Sequence, residues 1–244
     1  MNELLLIFTL ILAYGSAILL FRFFGKEGLF CLSIIVTILA NIEVLIVVDA
    51  FGMEMTLGNV LFAATFLITD VLSENYGKRT AQKAVLLSTL ASVFFVVLSQ
   101  MWLLYTPSAN DWAFPSFQML FANTPRIIVA SLIVFVITQT GDVWLYHKWW
   151  EFTEKHFGSK RKGLWIRNNG STLVSQLFNA ILYNVLAFAG MYNTSTLISI
   201  IVSTYVIYIA TSLLDTPVAY LCRRIRERYD VDGFSKGETK QISA

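Results

Sequence analysis

The chain has 244 residues, of which 56% are hydrophobic and only 14% are charged, whereas an ordinary soluble domain carries about 25% charged residues. Apolar runs of about 20 residues, the length that a membrane-spanning helix needs, recur along the whole chain. This pattern excludes a soluble domain with a single anchor and predicts an all-α, polytopic membrane protein in the lipid bilayer. The formal net charge of +2 is small, and we expect no nucleic-acid partner.

Seven segments are predicted to cross the bilayer as helices. In chain order they are residues 4–21, 28–48, 57–73, 84–104, 126–146, 171–189 and 197–222. The residues before the first span lack the positive charges that begin a signal peptide, so this span is expected to be retained.

The basic residues predict the orientation of these spans. They follow spans one, three, five and seven, and of the 18 Lys and Arg residues only Arg126 falls in the opposite set. Because cytoplasmic loops carry the excess of Lys and Arg, the N-terminus is predicted outside and the C-terminus in the cytoplasm.

The segment 65–79 carries the most informative polar residues. Asp70 and Glu74 lie one helical turn apart, and Asp70 precedes the basic residue Lys78 by about 12 Å of helix. A carboxylate at that depth in lipid is costly, which favours a functional role. The alternative is a helix end whose acids are hydrated or paired with Lys78 and Arg79.

Other spans also carry polar residues at helical spacing, on faces that lipid would not tolerate. They are Asn41 and Glu43; Gln139 and Asp142; Gln176, Asn179 and Tyr183; and Tyr205, Tyr208, Ser212 and Asp215. Pro217 is expected to free the carbonyl of Leu213 and to bend the last helix, as beside a cavity. Each polar residue could instead join helices by hydrogen bonds. Together they predict an acidic, amide-rich cavity with aromatic walls for a planar, donor-rich molecule such as a guanine-like base.

No cofactor or metal site is predicted. The two histidines, His147 and His156, lie in a predicted loop without a nearby cysteine, and surface positions suit them better than a zinc site. The chain has no nucleotide-binding or hydrolase motif of the common kinds. An enzyme is therefore not expected.

The run Thr-Phe-Leu-Ile-Thr-Asp-Val-Leu-Ser-Glu-Asn-Tyr-Gly-Lys at 65–78 resembles the hallmark of the queuosine precursor transporters, a family also known as vitamin uptake transporters. Further matching blocks are the Arg…Ala-Ser…Gln…Asp helix at 126–142, the Arg-Asn…Ser-Thr…Gln block at 164–176 and Asp-Thr-Pro at 215–217. Ala40-Asn41 resembles the start of the family core. Together the matches run from about residue 33 to residue 222.

The resemblance implies import of 7-deazaguanine bases, the cyano or aminomethyl queuosine precursors used in tRNA modification salvage, across the bacterial inner membrane. It also implies a six-helix core, here 27–222, so that 1–26 is an additional N-terminal helix and 223–244 a basic tail. Asn179 departs from the family, in which we expect Asp. The predicted substrate-binding residues are Asn41, Asp70, Glu74, Gln139, Asp142, Gln176, Asn179 and Asp215. The predicted gating or structural residues are Tyr76, Gly77, Arg126, Arg167, Asn168 and Pro217.

Three alternatives remain at the level of sequence. The chain could be the substrate-binding subunit of an ATPase-energised vitamin importer, with Ala13 and Ala17 docking a partner helix. An intramembrane enzyme would need a nucleophile or metal cluster at membrane depth, and a structural membrane protein would not need so many inward acids. Proton coupling, substrate preference and pairing into a homodimer stay open.

Overall fold

The computed structural model describes residues 1–122, 125–159, 162–229 and 231, with the backbone alone at 122 and 125–128. The elements are α1 (Asn2–Glu43), β1 (Val47–Ala50), β2 (Met53–Thr56), α2 (Gly58–Tyr76), α3 (Lys78–Trp102), α4 (Phe114–Ala122), α5 (Pro125–Phe157), α6 (Leu164–Phe188) and α7 (Thr194–Arg228). Five of these helices, α1, α3, α5, α6 and α7, contain stretches long and apolar enough to cross a membrane. The chain is therefore an all-α membrane bundle with one small hairpin.

Helix α1 doubles back on itself at Gly25. A straight helix of 42 residues would be about 63 Å long, yet Asn2 Nδ2 donates to the carbonyl of Asp49 at 2.9 Å. Gly25 breaks the helix with a φ of 57° and a ψ of −135°, a conformation that suits glycine and strains residues with a Cβ. The two halves of α1 correspond to the first two predicted spans.

Replacement of Gly25 with Ala is expected to lower the free energy of unfolding by about 1–3 kcal/mol, because Ala cannot adopt this backbone conformation without strain. The matched control is Gly15→Ala in the first half of α1, where an added Cβ meets no atom within 4 Å and helix propensity favours Ala. Thermal unfolding in detergent checks both variants. Equal stability of the two would contradict the assigned turn.

The second predicted span, 28–48, is too long. Helix α1 ends at Glu43, and β1 pairs with β2 in an antiparallel hairpin. The turn residues Phe51 and Gly52 have φ values of 54° and 72°, as a tight two-residue turn requires. The β-branched residues that extended the apolar run, Val47 and Val48, therefore belong to a strand, which hydropathy alone does not distinguish from a buried helix.

The later helices are longer than the predicted spans, and one helix was not predicted. The segments 126–146 and 197–222 fall within α5 and α7, and the segments 84–104 and 171–189 overrun the ends of α3 and α6 by two residues and one residue. All four helices continue into charged residues at the basic end of the bundle. Hydropathy detects only the apolar part of such helices. The short α4 lies in a stretch interpreted as a loop, and its Phe117 and Phe121 pack edge-on against Trp102 of α3.

Helix α2 is the central helix of the bundle. Every residue from Gly58 to Ser73 is buried except Phe62, which is half-buried. A Cβ on Gly58 would lie 2.7 Å from the carbonyl oxygen of Ala40, so α1 and α2 meet backbone to backbone there. The main hydrophobic cluster joins Ala17 and Phe21 of α1 to Leu67 of α2. The N-terminal helix is thus packed into the bundle, and α2 carries its polar residues at the centre.

Candidate functional site

Three buried carboxylates from three helices form the acidic cluster, which we define as Asp70 of α2, Asp142 of α5 and Asp215 of α7. Their exposed fractions are 1%, 0% and 0%. Asp70 interacts electrostatically with both other acids, so the three groups share one region between the helices. All three were predicted from the sequence as substrate-binding residues, and the fold brings them together.

Most oxygens of the acidic cluster lack a hydrogen-bond partner among the described residues. Thr172 Oγ1 donates to Asp70 Oδ2 at 2.8 Å, whereas Asp70 Oδ1 and both oxygens of Asp142 and of Asp215 meet no donor in hydrogen-bond geometry. The nearest polar groups, Ser171 and Ser175 at Asp142 and Tyr14 at Asp215, interact with these acids without such geometry. Folded proteins pair the large majority of buried polar atoms. Several unpaired acceptors in one region therefore indicate a site that takes a hydrogen-bond donor.

Helix α6 lines the same region with neutral polar groups. The side-chain amides of Asn168 and Gln176 are fully buried, and neither has a hydrogen-bond partner among the described residues. Ser175 is also unpaired, and together with Ser171 it flanks Asp142. The spacing of 168, 171, 175 and 176 places these residues on one face of α6. Asn168, predicted at the gate, thus belongs with the acidic cluster.

The other predicted amides are paired with neighbouring helices. Gln139 Nε2 donates to Thr65 Oγ1, and its Oε1 accepts from Thr69 Oγ1 at 3.2 Å. Asn41 Oδ1 accepts from Ser131 Oγ at 2.6 Å. Asn179 Oδ1 accepts from the Tyr208 hydroxyl at 3.1 Å. In this conformation these three residues join helices, which agrees with the packing alternative.

Glu74 lies at the basic end of the bundle in what we name the arginine lock: Glu74, Tyr146, Arg167 and Arg223. Arg167 Nε donates to Glu74 Oε2 at 2.8 Å, and Nη2 donates to Oε1. The Tyr146 hydroxyl donates to Oε2 at 2.7 Å, and Arg223 Nη1 lies 3.4 Å from Oε1. The side chains of Glu74 and Arg167 are 4% and 0% exposed. The arginine lock joins α2, α5, α6 and α7 about one helical turn from Asp70, on the side of the basic end of the bundle.

Two further predicted residues lie beside the arginine lock. The Tyr76 ring packs against Phe21 and lies 3.7 Å from the Arg226 guanidinium carbon. Gly77, with a φ of 84°, links α2 to α3. Pro217 lies inside α7, which continues to Arg228. The side chain of Arg126 lies outside the described residues.

Besides Ser171 and Ser175, two contributors to the site were not predicted from the sequence. The Tyr14 hydroxyl of α1 donates to the carbonyl of Thr211 at 3.3 Å and flanks Asp215. Thr172 holds Asp70 across 102 residues of sequence. A tyrosine in an apolar helix is a weak signal, because tyrosine also serves as an ordinary core residue. The contact between Thr172 and Asp70 gives no signal in the sequence, because the two residues lie 102 positions apart.

A cleft opens at the other end of the bundle, where α4 and the hairpin lie. Its volume is about 370 Å³, and its wall includes Val44, Met119 and Tyr192. Val44 also lines a small chamber of about 20 Å³ with Asn179, Tyr183 and Tyr208. The cleft and the chamber thus extend from that end of the bundle toward the acidic cluster.

The arrangement can bind a small planar molecule but offers little for covalent chemistry. Ionised carboxylates only accept hydrogen bonds, and amides add both donors and acceptors. Among the described residues no group of three or more His, Cys, Asp or Glu side chains could hold a metal ion. A buried polar centre among membrane-spanning helices, with a cleft at one end of the bundle, is the arrangement that a polytopic membrane transporter requires.

The comparisons with known proteins identify the family. Residues 56–222 match the family model described as "Putative vitamin uptake transporter", so the chain belongs to that family of transporters and is not an enzyme. It is 39% identical over 221 residues, 90% of this chain and 93% of the relative, to a Bacillus subtilis (strain 168) protein named "Probable queuosine precursor transporter". No solved structure matches the chain.

Proposed function

We propose that the protein imports queuosine precursors, the 7-deazaguanine bases with a cyano or aminomethyl substituent, across the bacterial cytoplasmic membrane. The name of the Bacillus subtilis relative and the unpaired acceptors of the acidic cluster support this substrate class. The adjacent N–H and NH₂ donors of a guanine-like edge suit one carboxylate, and an aminomethyl cation suits a second.

The observation that carries the proposal is the convergence of unpaired buried acceptors from three helices. Three carboxylates in one buried region repel each other, and a donor-rich or cationic ligand would relieve that repulsion. Gln176 and Asn168 would complete the polar contacts of the base. Gln139, Asn41 and Asn179 would keep the surrounding helices in register.

The proposed path begins at the cleft beside α4 and passes the chamber at Asn179 and Tyr208. It reaches the acidic cluster and is closed beyond it by the arginine lock. Glu74, predicted to bind substrate, is thereby assigned to closure with Arg167. Opening of the lock would release the base to the side that holds most Lys and Arg residues.

The charge distribution supports seven crossings with the N-terminus outside and the C-terminus in the cytoplasm. Arg22, Lys78, Arg167 and Arg223 all lie at the end of the bundle that holds the arginine lock. That end would face the cytoplasm.

The Ala13 and Ala17 pair does not support the alternative, a binding subunit of an ATPase-driven importer. Ala13 and Ala17 are 7% and 1% exposed and face the hydrophobic cluster with α2. They are therefore not available to a partner helix. A lone carrier should transport in vesicles without ATP, which separates the two hypotheses.

Asp70→Asn is expected to weaken binding of 7-aminomethyl-7-deazaguanine to the purified protein by about 10-fold or more, because a charge-assisted hydrogen bond contributes about 1.5–3 kcal/mol. Calorimetric titration of the wild-type chain with both deazaguanines, guanine and adenine tests the substrate class. Binding of adenine as tightly as the deazaguanines, or unchanged affinity in Asp70→Asn, would contradict the proposal.

A further inference from the structure

A basic groove lies on the outside of the bundle between the second half of α1 and the beginning of α3, away from the transport path. Its volume is about 580 Å³, and it is lined by Lys26, Glu27, Phe30, Cys31, Arg79, Thr80, Lys83 and Leu87. Three cations and one acid give this groove a formal charge of +2. We refer to it as the α1–α3 groove.

The cationic side chains of the α1–α3 groove are exposed. Arg79 and Lys83 are exposed and lie one turn apart on α3, while the side chain of Lys26 is 41% exposed. Glu27 is half exposed and lies 4.0 Å from Lys26, a separation at which an exposed ion pair contributes little. The Lys83 ammonium lies 5.7 Å from the Phe30 ring centre. A net positive charge therefore remains for an anion.

The groove changes from charged to apolar along the helix axes. Toward the middle of the bundle α1 and α3 are joined by the hydrogen bond between Ser33 Oγ and Ser88 Oγ, 2.7 Å apart. On the faces that line the groove, Leu90 and Phe94 follow Leu87 by three and seven residues, and Ile35 follows Cys31 by four. The side chains of Ile35, Leu90 and Phe94 are 53%, 57% and 65% exposed. The groove is thus cationic at its end near Gly25 and apolar toward the middle of the bundle. This matches a phospholipid, which has a phosphate at one end and an acyl chain at the other.

We propose that the α1–α3 groove binds an anionic glycerophospholipid. The phosphate would lie among Lys26, Arg79 and Lys83, and an acyl chain would lie along the seam past Leu87. In the proposed orientation this is the cytoplasmic leaflet. A bound lipid would fasten α1 to α3 close to the Gly25 turn, without touching the acidic cluster.

The test compares lipid binding by the intact purified chain and two triple variants in native mass spectrometry. Lys26→Gln/Arg79→Gln/Lys83→Gln removes the groove cations. Lys148→Gln/Lys155→Gln/Arg228→Gln removes the same charge from exposed positions at the same end. The probes are phosphatidylglycerol, phosphatidylcholine and the soluble head group glycerol phosphate.

The wild-type chain and the control variant should bind phosphatidylglycerol about 10-fold more tightly than phosphatidylcholine, because each nearby basic residue strengthens binding several-fold. The groove variant should lose this preference while its phosphatidylcholine binding and elution volume stay unchanged. Equal losses in the two variants would overturn the site in favour of diffuse attraction. Saturation by glycerol phosphate alone would overturn the lipid assignment in favour of a free phosphate, and a preference retained by the groove variant would also overturn it.

Discussion

Uptake of 7-aminomethyl-7-deazaguanine is expected to fall about 30-fold to 160-fold when Asp142 is replaced with Asn. Both carboxylate oxygens of Asp142 are buried and unpaired among the described residues. An amide keeps the size but removes the charge and turns one acceptor into a donor, which costs about 2–3 kcal/mol against a donor-rich ligand. Initial rates in proteoliposomes, with labelled base, measure the effect.

The matched control is Asp111→Asn. Asp111 Oδ1 accepts from the backbone N–H groups of Ala113 and Phe114, at 2.7 and 2.8 Å, and Asn serves that capping role equally well. The control should transport at the wild-type rate. If the Asp142→Asn variant folds, inserts and transports normally, Asp142 does not bind the base, and the proposed mechanism is weakened.

Arg167→Met is expected to lower the free energy of unfolding by about 3–5 kcal/mol and to abolish uptake. After the substitution, the buried carboxylate of Glu74 keeps only Tyr146 and the partly exposed Arg223 of its partners in the arginine lock. A buried charge that is incompletely compensated is strongly destabilising. Thermal unfolding in detergent measures the loss. The exposed pair Lys148–Glu151, 3.0 Å apart, is the control, and Lys148→Met should change stability by less than about 1 kcal/mol.

The double variant Glu74→Met/Arg167→Met separates stability from transport. Removing both charges should restore most of the stability, since apolar residues of similar volume often replace a buried ion pair without loss. Uptake should remain impaired, because an apolar plug cannot open and close as a charged lock can. Normal uptake by the double variant would show that the arginine lock serves packing alone.

The sequence was sufficient to predict the helical membrane class, and it singled out the three acids that the fold brings together; their role in binding stays a prediction. Asp70, Asp142 and Asp215 each stand in an apolar helix, where the cost of an acid makes a functional position the simplest explanation. The same reasoning could not assign Glu74. Its partners Arg167 and Arg223 lie 93 and 149 residues away, and no spacing rule connects residues at that distance. The basic residues nearest in sequence, Lys78 and Arg79, are not the partners that the structure pairs with it.

Element boundaries were predicted less well, for two physical reasons. The apolar run through Val48 satisfies a helix and a strand equally, and only the Phe51-Gly52 turn decides in favour of the hairpin. Helices α5 and α7 extend past their apolar segments because their charged ends need no lipid. The role of Tyr14 depends on the reversal at Gly25, which brings the first helix beside α7, and its isolated position in the sequence gives no sign of that contact.

The close approach of α1 and α2 at Gly58 restricts how the transporter can move. With the carbonyl of Ala40 and the amide of Val44 pressed against a residue without a side chain, these two helices cannot slide along each other. A movement of one helix is therefore expected to carry the other with it. In the proposed transport mechanism, alternating access would come from rocking of this pair against α5 and α6.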